Sequence, residues 1–306
     1  MTVAVQHGTA RLPWAPGSMS HPRRGLTGEA AAVAAVDELL AATMRALVEH
    51  WQDLSPADRR SGSLQPDSVL QLLRESVGSG GKRLRPRMTY WGWVAAGGEC
   101  RGQGRGDMLM AATALELLHA FALVHDDVMD ASEERRGHPS VHARARTQHR
   151  AAGGLGAAER YGESIAILVG DLLHSEADVL AARLPAALRS AWRTMSIELI
   201  AGQTRDLVGA ATGRRDLEHA RQVAATKSGA YTAWRPLQLG ALAAGAGADT
   251  LAALRSFGLH LGEAFALRDD ILGVLGDPAR TGKPVGDDIV AGKPTVLLAL
   301  AEQRFP

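Results

Sequence analysis

From Gly28 onward, apolar residues recur at three- and four-residue spacing, with Ala and Leu dominating and β-branched runs rare, so the chain reads as helical. In 29–51, Val33, Val36, Leu39, Leu40, Met44 and Leu47 form one apolar stripe. Ser55 and Pro56 give a cap and first-turn signal, and a second helix is expected over 66–77. Long helical stretches are expected at about 107–131, 163–183, 186–208, 217–244 and 249–275, with a last one starting near Asp287. A glycine-rich loop, 78–86, separates the second and third of these segments. Strand signals are nearly absent, and no 20–50-residue repeat is present. The pattern predicts one all-α domain over 28–306. Residues 1–27, with three prolines and no periodicity, read as a disordered tail that serves as a solvated extension or docks an unknown partner.

Composition closes several doors. A net charge of +1 and a pI near 8.0 argue against a dedicated nucleic-acid binder. The one cysteine, Cys100, excludes an internal disulfide framework and a multi-cysteine metal cluster, and fits a reducing cytoplasm. No uninterrupted apolar run approaches the roughly 18 residues of a membrane span, and no signal-peptide pattern opens the chain. Among 34 basic residues only Lys82, Lys227, Lys283 and Lys293 are lysine, so a compact ammonium is kept for four places.

The strongest local signal is Asp126-Asp127-Val128-Met129-Asp130, at the end of an apolar helix. Asp126 and Asp130 lie about 40° apart on one helical face. Oxygen ligands without cysteine or a histidine pair suit a hard cation such as Mg²⁺. Arg135 and Arg136 follow closely and can balance the acids or grip phosphate. A second acidic pair, Asp269-Asp270, ends another apolar helix and leads to Thr281-Gly282-Lys283-Pro284 and Gly292-Lys293-Pro294. Gly80-Gly81-Lys82 adds backbone N–H groups and a cation suited to phosphate. Lys82, Lys283 and Lys293 therefore fall in segments where a phosphate group would lie.

In order and spacing these residues resemble the trans-isoprenyl diphosphate synthases, or polyprenyl synthetases, from about Leu70 to the end of the chain. Residues 80–86 look like that family's isopentenyl-diphosphate loop, and Asp126 to Asp130 like its first aspartate-rich motif. Arg135-Arg136 resemble its arginine pair, Gly202-Gln203 and Lys227-Ser228 its mid-chain elements, and Asp269-Asp270 the start of its second aspartate-rich motif. The resemblance implies the isoprenoid synthase fold, a single large bundle of long, mostly antiparallel helices around a central active-site cavity.

It also implies roles. Asp126, Asp130 and Asp269, supported by Asp127 and Asp270, would hold three Mg²⁺ ions on an allylic diphosphate. Arg135, Lys227, Lys283 and Lys293 would add positive charge there, with Gln203 and Ser228 also at the substrate. Lys82, Arg85, His119 and Arg136 would bind isopentenyl diphosphate. The catalytic set is then Asp126, Asp130, Asp269, Lys227 and Arg135, and the family expectation for assembly is a homodimer. Phe121 and Ala122, five and four residues before Asp126, resemble the chain-length positions of geranylgeranyl diphosphate synthases, which points to a C20 product. The chain departs from the pattern at Gly273, where a third aspartate is usual, and at Ala266, often glutamine. Family members usually continue through further helices beyond this chain's last residues. Two other readings stand beside this one: a class I terpene cyclase, and a truncated, non-catalytic partner subunit.

Overall fold

The structure is a computed structural model, and it describes residues 28–54, 64, 68–78, 80–99, 103–277, 286–290 and 292–304. The tail 1–27, Ser55-Pro56, Cys100 and Lys283 lie outside the described residues. The helices are α1 (Glu29–Leu54), α2 (Ser68–Gly78), α3 (Leu84–Ala95), α4 (Gln103–Met129), α5 (Val141–Ala151), α6 (Ala158–Ala181), α7 (Ala186–Ala211), α8 (Leu217–Val223), α9 (Arg235–Ala243), α10 (Ala248–Leu275), α11 (Asp287–Val290) and α12 (Val296–Arg304). A π-helical stretch, Ala224–Trp234, joins α8 to α9 without a break. One short antiparallel hairpin follows α4, with β1 (Glu134–Arg135) paired to β2 (His138–Pro139).

The all-α expectation is met, and most predicted helices appear within a few residues of their expected ends. Two helices were not expected. Leu84–Ala95 begins inside the stretch read as loop, and Val141–Ala151 carries little apolar signal. The latter buries small residues and imidazoles instead: His142, Ala143, Ala145 and His149.

Helix α4 is the axis of the bundle. Met108, Ala111, Ala112, Ala114, Leu115 and Leu117 are fully buried, because alanine and leucine let α1, α3, α6 and α9 close around it. It is long and apolar enough to cross a membrane by length and composition, yet 67% of its apolar window lies buried within the bundle. That burial accounts for its apolar character. Helix α6 runs antiparallel to α4: His125 meets the Ile167 carbonyl while Phe121 meets His174.

Helix α10 is held differently. Its buried residues are Gly258, Gly262 and Ala266, a small-residue stripe laid on the π-helical stretch, where Gly262 and Gly229 touch backbone to backbone. Beside the stripe, Phe257 is 58% exposed and Phe265 37%.

Candidate active site

The C-terminal turn of α4 carries Asp126, Asp127 and Asp130, and three other elements bring side chains to it. Helix α7 approaches the π-helical stretch at Gly202, where a Cβ would lie 2.7 Å from the Lys227 nitrogen. Only glycine permits that approach, and it sets Gln203, Asp206 and Lys227 beside the acids. The Lys227 ammonium lies 2.5 Å from Asp206 Oδ2 and 3.1 Å from Asp126 Oδ1. Gln203 Nε2 donates to Asp126 Oδ1 at 3.2 Å. From the segment before α12, Lys293 Nζ sits 2.5 Å from Asp130 Oδ2.

The three acids have different work. Asp127 is buried, and the Arg135 guanidinium takes it in a fork, Nε lying 2.7 and 2.9 Å from its two oxygens. On the helix it projects about 100° from Asp126 and about 60° from Asp130, off the face those two share, and it anchors the hairpin arginine. Asp126 and Asp130 share a face and repel each other. Burial, and then the Asp126 charge, push the Asp130 carboxyl above the usual range despite Lys293. Burial also opposes ionisation of Asp126, yet Lys227, Lys293 and Arg135 hold its carboxyl below that range. Arg135 is itself buried, but Asp127 and Asp126 outweigh the desolvation and keep it firmly charged.

The residues fit a hard divalent cation. Two acceptor-only carboxylates lie on one face, and their mutual repulsion is left partly uncompensated, which a cation between them would relieve. The second acidic pair does not complete that set. Among the described residues, no three His, Cys, Asp or Glu side chains converge closely enough to hold a metal. Asp269 is exposed on α10, and Asp270 Oδ2 accepts a hydrogen bond from the Val296 N–H, capping α12.

A second cluster lies beside the first. Arg85 donates to Thr232 Oγ1 at 3.0 Å and stacks over the Tyr231 ring at 4.3 Å, while its Nε is buried without a partner among the described residues. His119 Nδ1 is likewise buried and unpaired. Burial, followed by the charges of Arg85, Arg136, Arg135 and Arg83, pulls the His119 pKa well below its ordinary value. Burial pushes the neighbouring Tyr231 phenol up to about 12, so it stays protonated. Arg83 is neutralised by Asp37 and Glu116, each at 2.8 Å. Arg85 and Arg136 have no carboxylate in ion-pair contact among the described residues, so this corner carries an unmatched positive field suited to an anion.

The glycine-rich loop borders that field. Gly80 takes φ +74, and its carbonyl accepts from the Arg136 guanidinium. Arg83 adopts φ 48 at the start of α3, and Lys82 is exposed beside it. Half-buried Ser228 follows Lys227 on the π-helical stretch.

Below the acids, Ala122 is half-buried, and Phe121 turns to α6, packing at 4.6 Å on His125 and 4.7 Å on His174. His142 is buried against Ser140, whereas His138 is exposed. Three members of the network were not foreseen from sequence: Asp206, Glu116 and Arg83. Asp206 had one available signal, its position four residues after Gly202 on the same helical face.

A family model for polyprenyl synthetase matches residues 66–305. Geranylfarnesyl diphosphate synthase of Aeropyrum pernix is 33% identical over 251 residues, covering 79% of this chain and 73% of that one. Geranylgeranyl diphosphate synthase of Mycobacterium tuberculosis is 36% identical over 231 residues, 74% of this chain and 60% of that one. The crystal structure of geranylgeranyl pyrophosphate synthase from Corynebacterium glutamicum, complexed with isoprenyl diphosphate and magnesium, superposes with a TM-score of 0.77 at 40% identity. That match covers 88% of this chain and 76% of that one.

Proposed function

The chain belongs to the polyprenyl synthetase family of prenyltransferases, and from that premise we propose that it joins isopentenyl diphosphate to an allylic diphosphate, stopping at C20. The observation that carries this is the pairing of two sites: an acid cluster threaded with cations beside an arginine corner with buried, unpaired Nε and Nδ1 atoms.

Mg²⁺ bound to Asp126 and Asp130 would supply positive charge to the leaving diphosphate oxygens of the allylic substrate. The family binds this ion, and three ions with Asp269 and Asp270 joining as ligands is the fuller form of the reading. Lys227 and Arg135 add fixed positive charge next to those oxygens, so charge that grows as the C–O bond breaks meets preorganised partners. Asp206 holds the Lys227 ammonium from behind, and Gln203 fixes the Asp126 carboxylate. Arg85, Arg136, Lys82 and His119 hold isopentenyl diphosphate with its alkene toward the allylic carbon. Deep burial keeps His119 neutral, so it orients without adding to the cationic field. The alkene attacks the allylic cation and a proton leaves, accepted by the departing diphosphate. The apolar walls formed by Ala122 and Leu199 keep water from the cation.

The C20 limit is supported by small Ala122 one turn below Asp126 and by Phe121 packing away toward α6. Lys283 and Lys293 acting on the diphosphate, and homodimeric assembly in the cytoplasm, complete the reading. The test is incubation of the purified chain with isopentenyl diphosphate, Mg²⁺ and dimethylallyl, geranyl or farnesyl diphosphate in turn, with products identified by mass. Linear geranylgeranyl diphosphate is expected. A cyclic hydrocarbon, or no turnover until another subunit is added, would overturn it.

A further inference from the structure

Three carboxylates are buried among the described residues: Asp127, Asp206 and Glu116. The first two hold Arg135 and Lys227 at the acid cluster. Glu116 holds a cation that the chemistry above does not use. Arg83 Nη1 lies 2.8 Å from Glu116 Oε2, and Arg83 Nε lies 2.8 Å from Asp37 Oδ1 on α1. The Glu116 side chain is 6% exposed and that of Asp37 49%, so the buried partner carries the grip and the wet one adds little.

Arg83 joins the glycine-rich loop to α3 with φ 48 and ψ 41, a left-handed conformation unfavourable for a residue with a Cβ. Ion pairs to two helices hold it there. The loop is fixed at a second point, where the Gly80 carbonyl accepts from the Arg136 guanidinium. Gly81 packs against the same group: a Cβ on it would lie 3.2 Å from both terminal nitrogens. Lys82, between the two fixed points, therefore has a set place, although its residue is exposed. On α4, Glu116 stands three residues before His119, on the same side of the helix. The clamp thus sits one turn from the anion corner, and the Glu116 charge reaches both Arg136 and Tyr231.

We infer that Glu116, acting through Arg83, is a positioning residue that fixes the glycine-rich loop so that Lys82 and Arg136 meet the diphosphate of isopentenyl diphosphate. This rests on the prenyl synthase reading above and adds to it a residue that touches no substrate. A buried carboxylate in this corner could instead serve only as a counter-charge to the arginines, and the two roles predict opposite signs. Removing a counter-charge leaves an anion site more positive and tightens binding. Removing a clamp lets Arg83 relax to an ordinary φ, carries Gly80 and Lys82 off their places, and weakens binding. The allylic site is spared, because Asp126, Asp130 and Lys227 have no ion pair with Arg83 or Glu116 among the described residues.

The test uses the full chain, with isopentenyl diphosphate binding read by calorimetry and turnover read with farnesyl diphosphate and Mg²⁺. Glu116→Gln is expected to raise both Kd and KM for isopentenyl diphosphate about tenfold, leaving kcat and the farnesyl diphosphate KM within about twofold. Asp37→Asn, which loses only the exposed partner, should leave all four values within about twofold. Circular dichroism reports folding. Glu116→Gln strands the Arg83 charge; should it fail to fold, Arg83→Gly/Glu116→Gln decides, since it removes both charges and glycine takes this φ without strain. A Kd for isopentenyl diphosphate that is unchanged or lower in the folded variant overturns the positioning role. An equal rise in the farnesyl diphosphate KM overturns it too, because it marks a general loss of structure. A wild-type chain that neither binds nor elongates isopentenyl diphosphate overturns the reading beneath, a separate outcome.

Discussion

Replacing Gly262 by alanine tests how α10 is held. A Cβ at Gly262 would lie 2.4 Å from the Gly229 carbonyl oxygen, 2.6 Å from its carbon and 2.8 Å from its Cα. Ordinary contact begins near 3.4 Å, so the two helices must part by about 1 Å. Backbone cannot swing aside as a side chain does, and a gap of that size forfeits roughly a quarter to a half of each dispersion contact across the seam. Overpacking of this kind costs about 1–3 kcal/mol, and with a narrow stripe to absorb it we expect about 2. Urea unfolding should show the loss as a lower midpoint at unchanged slope. Gly247→Ala is the control: φ is −76 and nothing lies within 4 Å, so its effect should stay within about 0.5 kcal/mol. Gly229→Ala opens the same seam, so the double variant should lose less than the sum of the singles. A Gly262→Ala protein as stable as wild type, or strict additivity with Gly229→Ala, would refute backbone contact as the basis of α10 packing.

Three further outcomes are expected. Asp206→Asn leaves Lys227 with Asp126 alone; because the lysine side chain is 20% exposed, the loss should be about 1–3 kcal/mol rather than the 3–5 of a fully buried pair, measured by thermal unfolding. Mg²⁺ with inorganic diphosphate should raise the wild-type melting temperature by several degrees, about 2.7 kcal/mol at a hundredfold excess over Kd, and should not do so in Asp126→Ala or Asp130→Ala. His119 has a folded pKa well below its ordinary 6.5, so below pH 6.5 the unfolded chain binds a proton that the folded one refuses. Stability should therefore fall from pH 6.5 toward pH 5, and His119→Asn should flatten that limb in urea midpoints taken across the range.

Helix type and most boundaries were legible because α1, α6, α7 and α10 repeat apolar residues at the helical period over many turns. Helix α5 was not, since its buried face is made of Ala143, Ala145 and two histidines, which carry no hydrophobic signal. Helix α3 was hidden behind a glycine-rich lead-in and Pro86, which sits harmlessly in its first turn. The π-helical stretch could not be told from α by residue type. Asp126 and Asp130 stood out through local spacing, and Lys227 as one of only four lysines, in a Lys-Ser pair that resembles a family element. Asp206 did not, because its meaning depends on Lys227, twenty-one residues away and brought near by the Gly202 contact. Asp127 was set apart from Asp126 and Asp130 in sequence as a supporting acid off their shared face; that Arg135 takes it in a fork was not legible.

The hairpin after α4 places neighbouring residues on opposite errands: Arg135 grips Asp127 within the acid cluster, and Arg136 bonds the Gly80 carbonyl of the glycine-rich loop. One peptide unit thus joins the two corners, with Arg136 at φ 56 and Gly137 at φ 75 forming the turn. The entropy of ordering this hairpin is lost once and serves both corners. An anion that settles one of them leaves less to be ordered when the other is filled. By thermodynamic reciprocity, whatever help the first gives the second is returned in equal measure. The turn is in this sense a ledger of order of arrival, kept in four residues.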